Sequence, residues 1–178
     1  MEKCAIFIDG GYLNRVLKNY LNEPRIDYAK LCEEICKKIK ADRLRTYFYH
    51  CLPFIRENNQ EDLQKHSSMQ RFLSNLKRLP RFEIKLRRLQ FIGGKFKQKM
   101  VDVLMSLDIV EMCFNNKIQH AVLIVGDSDF VPAVKKAKDC GAIIHLFYHP
   151  KSIHNKILDE ADELHLINEE LINNSKEK

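Results

Sequence analysis

The 178-residue chain predicts a single α/β domain built on a parallel sheet, and three observations carry that prediction. Short apolar runs alternate with stretches of helical periodicity along the whole length. Two of the runs, Cys4 to Ile8 and Ala121 to Val125, are apolar at every position, as strands covered on both faces are. The length suffices for one core of ordinary size and not for two.

The elements follow in order. Lys3 to Ile8, closed by Asp9-Gly10-Gly11, reads as a buried strand ending in a tight turn. Tyr12 to Tyr20 is helical. Tyr28 to Ile39 is a second helix, capped by Asp27, with Leu31, Ile35 and Ile39 four residues apart. Leu44 to His50 alternates and is aromatic, as a strand is. Glu61 to Leu79 is a long helix with Met69, Phe72, Leu73 and Leu76 on its apolar stripe, ended by Pro80. Ile84 to Phe91 is a strand with Lys85 and Arg87 opposite Ile84 and Leu86, before a Gly93-Gly94 turn. A helix over Met100 to Asn115, a strand over Ala121 to Val125, a helix over Phe130 to Cys140 and a strand over Ile143 to Phe147 complete the alternation. Ile153 to Ala161 reads as a last helix and Leu164 to Ile167 as a short edge strand. Residues 1–167 are expected to form the domain and residues 168–178 a polar tail.

Composition narrows the function. No run of eighteen apolar residues exists, and the first apolar stretch stops at Asp9, so neither a membrane span nor a secretory signal is expected. Cys4, Cys32, Cys36, Cys51, Cys113 and Cys140 form no CxxC pair and read as reduced thiols of a cytoplasmic protein. The net charge of +6 is concentrated: Lys77 to Lys99 holds nine Lys or Arg against one acid, Glu83, and the rest of the chain is close to neutral. With Phe82, Phe91 and Phe96 interleaved, that stretch reads as a surface for a polyanion, nucleic acid above all.

The acids supply the chemistry. In an open parallel sheet the ligand crevice lies beyond the carboxyl ends of the strands, and Asp9 and Asp127 both leave such ends. Neither end is expected to need an acid for folding. Asp129 stands where the next helix begins and is as readily its N-cap as a metal ligand. Asp102 lies in the first turn of a helix, and Asp108, about 240° further round it, is expected to face elsewhere as a secondary acid. Convergence of Asp9, Asp102 and Asp127 would set like charges against each other, which a hard divalent cation relieves. Acids and a basic stripe together suit metal-assisted phosphodiester chemistry. His145, His149 and His154 do not match the spacing of a zinc motif and read as finishing a strand and a loop. No GxGxxG follows the first strand, which argues against a dinucleotide-binding domain.

Four stretches then resemble one family: Ile6-Phe7-Ile8-Asp9-Gly10-Gly11-Tyr12-Leu13, Lys99-Met100-Val101-Asp102-Val103, Leu107-Asp108, and Val125-Gly126-Asp127-Ser128-Asp129-Phe130-Val131-Pro132. Together with Gly141 and Ala161-Asp162, they make the chain similar over nearly its whole length to the NYN (LabA-like, DUF88) family of the PIN-like nuclease superfamily. The resemblance implies a PIN-like domain, a central parallel sheet of about five strands with helices on both faces. It also implies a metal-dependent endoribonuclease in which Asp9, Asp102 and Asp127 hold Mg²⁺ or Mn²⁺, Asp129 assists, and Asp108 is a further acid. Single-stranded RNA is the expected substrate, gripped by Arg87, Arg88, Lys95, Lys97 and Lys99, with Tyr12, Asn14 and Ser128 as further contacts. The chain departs from the family pattern at Tyr12, where many members carry Asn, and at Met100, where Gly is common. The alternative is a non-catalytic module of the same fold that binds RNA or recruits a protein; a homo-oligomer or a protein partner is left open.

Overall fold

The computed structural model of the protein describes the backbone of residues 1–88, 90–92, 95–97 and 99–177, and side chains of residues 1–86 and 101–177. Strand β1 (Lys3–Asp9) runs through the centre, with Cys4 to Ile8 wholly buried. Helices α1 (Gly10–Tyr20) and α2 (Tyr28–Ile39) lead to β2 (Asp42–Leu52), and α3 (Gln60–Lys77) leads to β3 (Phe82–Arg88). Asp27 caps α2 as expected, accepting the N–H groups of Ala29 and Lys30 at 3.0 and 3.1 Å. A small antiparallel hairpin of β4 (Gln90–Ile92) and β5 (Lys95–Lys97) precedes α4 (Lys99–Phe114). Then follow β6 (His120–Ile124), a single 3₁₀ turn at Ser128–Phe130, α5 (Val131–Asp139), β7 (Ile143–Tyr148), α6 (Asn155–Glu160), β8 (Glu163–Leu166) and α7 (Glu169–Asn174).

The main sheet has six strands, all parallel, in the order β3-β2-β1-β6-β7-β8. The sixth is β8, the short edge strand expected over Leu164 to Ile167, here Glu163–Leu166. Apolar residues of α1, α2, α3 and α7 cover one face, among them Leu13, Leu31, Leu73 and Ile172, and those of α4, α5 and α6, among them Met105, Val134 and Ile157, cover the other. Both faces are therefore buried, which is why β1 and β6 read as unbroken apolar runs. The chain moves outward from β1 to β2 and β3, then returns to β1's other side with β6, so the order reverses between β1 and β6. Their register sets Ile8 beside Ile124, and Asp9 at the end of β1 and Asp127 three residues after β6 enter the crevice at that switch point.

Two expectations are corrected. The strand expected over Ile84 to Phe91 stops at Arg88, because β2 ends at Leu52, opposite Arg88, and leaves no ladder to continue. The Gly93-Gly94 turn lies outside the described residues. Residues 168–178 are not simply a polar tail: Asn168 caps α7, Leu171 and Ile172 are buried against the core, and Lys176 bridges back to Ile26. Buried Leu171 and Ile172, each contributing about 2 kcal/mol, hold the segment together with the Asp27 N–H bond to the Ser175 carbonyl at 2.9 Å. Among the described residues no helix is long and apolar enough to cross a membrane.

Candidate active site

The crevice at the switch point is a cleft of about 170 Å³ lined by Asp9, Gly11, Arg15, Tyr49, His50, Cys51, Val101, Asp102 and Asp127. Three separate elements deliver the three acids: the end of β1, the first turn of α4, and the loop after β6.

Two of these acids also serve the fold, contrary to the expectation that neither strand end needs one. Asp9 is the N-cap of α1, its Oδ1 accepting the Tyr12 N–H at 3.0 Å. Asp127 caps the 3₁₀ turn, its Oδ1 accepting the Asp129 N–H at 3.1 Å. Asp129 is therefore not the cap; α5 begins at Val131 behind Phe130, whose side chain makes no capping bond, and has Pro132 in its first turn. The caps immobilise both carboxylates at the crevice mouth.

Electrostatics confirm the crowding. Burial pushes the Asp9 carboxyl above its ordinary value, helped by Asp127, while the N–H groups of Tyr12 and Gly11 and the Arg15 guanidinium oppose the rise. Asp102 is pushed up to about 6, first by burial and then by Asp9, Asp127 and Asp129, with Arg15 again opposing. Asp102 thus feels the charge of the other three acids. Asp129 is exposed and, with Asp102, lines an adjoining cleft floored by Val103, Leu107 and Pro132.

Asp108 stands apart from the cleft's lining. Its Oδ2 accepts the Tyr49 hydroxyl at 2.8 Å and pairs with Lys85 at 3.7 Å, which ties α4 to β2 and β3. Tyr12, expected at the substrate, is a core residue. It is 1% exposed, and its hydroxyl oxygen accepts the His149 N–H at 3.0 Å. Asn14 lines a separate, mostly apolar cavity with Leu17, Tyr28 and Phe72, not the acidic cleft. Ser128 sits in the 3₁₀ turn between Asp127 and Asp129. The side chains of Arg87, Arg88, Lys95, Lys97 and Lys99 lie outside the described residues. His149 stacks on Tyr20 with centroids 4.4 Å apart, and His154 caps α6 at the rim beside Arg15 and Asp127.

Sequence reasoning missed Arg15, His50 and Cys51. Arg15 is the one cation among the described residues lining the cleft. Its signal was its place on the helix that Asp9 opens, one turn after Gly11. His50 and Cys51 come from the carboxyl end of β2, the strand beside β1, where the same strand-end rule would have found them. Burial keeps the His50 ring below its ordinary pKa, and its Nδ1 has no hydrogen-bond partner among the described residues. Burial, aided by Asp102 and Asp9, holds the Cys51 thiol up in its protonated form.

The donor set fits a hard cation. Three carboxylates meet in a small, half-buried cleft and repel one another, and the one thiol present is disfavoured as thiolate.

Comparison with known proteins agrees with this architecture. The model of the NYN domain matches residues 3–168. An uncharacterized protein of Sinorhizobium fredii (strain NBRC 101917 / NGR234), y4oD, is 41% identical over 69 residues, which are 38% of this chain and 32% of that protein, so the match spans about a third of the relative. A crystal structure of a protein of unknown function from Vibrio parahaemolyticus RIMD 2210633, VPA0982, superposes with a TM-score of 0.63 at 21% identity, covering 94% of this chain and 93% of that one. That likeness is one of fold.

Proposed function

The chain belongs to the NYN domain family of nuclease-like proteins, and from that premise we propose that it is a metal-dependent endoribonuclease acting on single-stranded RNA. The observation that carries this reading is the mutual crowding of Asp9, Asp102 and Asp127 in one cleft at the sheet's switch point. Capping accounts for Asp9 and Asp127 but not for a third acid, Asp102, set against them in the same cleft; a divalent ion accounts for all three.

Asp9, Asp102 and Asp127 would hold Mg²⁺ or Mn²⁺. When bound, such an ion lowers the pKa of a coordinated water and stabilises charge developing on a phosphoryl group. The remaining work belongs to the chain. Asp9 and Asp127, fastened by backbone N–H groups, keep their geometry as substrate arrives. Arg15, exposed on α1 at the cleft's edge, is placed to take a non-bridging phosphate oxygen. Asp129 adds negative charge at the rim, and Tyr49, tied to Asp108, sets one wall. The basic stretch Lys77 to Lys99 runs directly into α4, the helix that carries Asp102, and so leads a polyanion toward the cleft. The backbone grip of that stretch makes binding salt-sensitive and weakly sequence-specific.

One observation favours a second reading. Because Asp9 and Asp127 cap α1 and the 3₁₀ turn, acids at those two positions have a folding role even in a non-catalytic RNA-binding module. Asp102 makes no capping bond among the described residues and separates the two. End-labelled single-stranded RNA incubated with Mn²⁺, Mg²⁺ or EDTA should be cut by the wild type only with metal. Asp102→Asn should lower the rate at least about a hundredfold while RNA retention persists. Equal background in both proteins, with RNA still retained, would replace the nuclease by the binding module.

A further inference from the structure

A second cluster of metal-ligating side chains stands away from the acidic cleft. His120 opens β6 at the end opposite Asp127, and His145 on β7 and His165 on β8 continue diagonally across the sheet. His120 Nε2 is 2.8 Å from Glu2 Oε2, and His120 Nδ1 is 2.9 Å from His145 Nε2. His145 Nδ1 then lies 3.2 Å from His165 Nε2 and 3.2 Å from Glu163 Oε2, and those last two atoms are 3.7 Å apart.

The proton count along this chain is the decisive feature. The Glu2 carboxylate only accepts, so a neutral His120 carries its proton on Nε2 and turns a lone pair on Nδ1 toward His145. His145 must then donate from Nε2, which leaves the Nδ1 lone pair aimed at Glu163 and His165. The carboxylate has no proton to give, and His165 has one at most for two neighbours. With the three rings neutral, one of the three short contacts is therefore lone pair against lone pair. A cation in the middle satisfies all three donors together.

The dimensions agree. Donors bound tetrahedrally at about 2.0 to 2.1 Å stand about 3.3 to 3.4 Å apart, and the three separations here bracket that value. Two imidazoles and one carboxylate are the ligands of a borderline metal, unlike the all-oxygen set at Asp9, Asp102 and Asp127. The His120–Glu2 arm supplies the outer hydrogen bond that orients a metal-bound imidazole. His145 is buried, while Glu163 is half-exposed and opens a path from solvent to the fourth position.

We propose that His145, His165 and Glu163 form a zinc-class site that clamps the edge strand β8 onto β7. The ladder pairs His145 with Glu163 directly, so the ion ties adjacent strands where β8 has no further neighbour. These ligands come from neighbouring strands, so no spacing along the chain reveals them.

The test uses the full chain, stripped of metal by chelation and titrated with Zn²⁺ alone, and with Co²⁺ for its visible d–d bands. The wild type should bind one Zn²⁺ equivalent outside the acidic cleft, show four-coordinate Co²⁺ bands, and melt about 5 °C higher with saturating zinc. Glu163→Gln, a same-size change at a half-exposed side chain, should weaken binding at least about tenfold and remove the bands. His165→Gln should do the same, and Asp102→Asn should leave zinc binding and bands unchanged. Absence of Co²⁺ bands in the wild type would overturn the site and leave a proton-filled histidine relay. Bands undiminished in both Glu163→Gln and His165→Gln, or lost in Asp102→Asn, would overturn it equally.

Discussion

Gly126 lies directly against the ring of Tyr12: a Cβ on Gly126 would overlap Tyr12 Cε2 and Cδ2 and press on the Ser152 carbonyl. The same glycine's carbonyl accepts the His154 N–H at 3.0 Å, and the Tyr12 hydroxyl accepts the His149 N–H at 3.0 Å. Tyr12 and Gly126 thus lock α1 to the loop that presents Asp127 and to the segment after β7. Gly126→Ala should cost about 2 kcal/mol or more and lower the melting temperature by several degrees. Differential scanning calorimetry checks it, and an unchanged melting temperature would mean that the ring is not held there.

Arg15 offers a charge to the cleft without supporting the core, since its side chain is exposed. Arg15→Ala should leave the melting temperature within a degree or so and reduce both RNA affinity and cleavage by about tenfold. Arg15→Lys should recover only part, because an ammonium cannot take a phosphate bidentately. Filter binding and gel-resolved cleavage with the same RNA give the numbers; a full-strength Arg15→Ala enzyme would remove Arg15 from the phosphate's path.

Asp62 gives the pH dependence of stability a definite sign. Its Oδ2 accepts the Arg56 Nε–H at 2.7 Å and N–H at 3.1 Å, and its Oδ1 accepts from Nη2 at 3.0 Å. Those bonds hold its carboxyl down at about 2. A carboxyl depressed in the folded state stabilises the fold while ionised, so the contribution is whole above the ordinary value of about 3.9 and fades as pH falls toward 2. In urea titrations Asp62→Asn should be less stable than wild type by a constant margin above about pH 5, and the margin should close between about pH 4 and 2. A margin that ignores pH would assign the loss to helix α3's entry rather than to the ion pair.

Much of the fold was legible in the sequence because it is local chemistry. Tyr28 to Ile39 appears as a helix at those same residues, since Asp27 caps it and the spacing of Leu31, Ile35 and Ile39 describes one face. The apolar runs of β1 and β6 announce strands covered on both sides. The edge strand expected over Leu164 to Ile167 appears one residue earlier as β8 (Glu163–Leu166). α7 was missed because only Leu171 and Ile172 face inward among polar neighbours.

At the site, Asp9, Asp102 and Asp127 could be singled out in sequence because strand ends and a helix's first turn are local features. What the chain order could not reveal is who stands beside whom. Arg15, His50 and Cys51 join the cleft through the lateral order of β2, β1 and β6 and the packing of α1. Tyr12, beside the first acid in sequence, points into the core, because the residues that follow a strand's end diverge as the helix begins. His145, Glu163 and His165 meet only because β7 and β8 pair in one register. Most elements, the Asp27 cap and the three acids were readable from the chain because interactions spanning a few residues set them; the neighbours, and the docking of α7, came only from the tertiary structure, because strand order and register depend on how two apolar faces bury together.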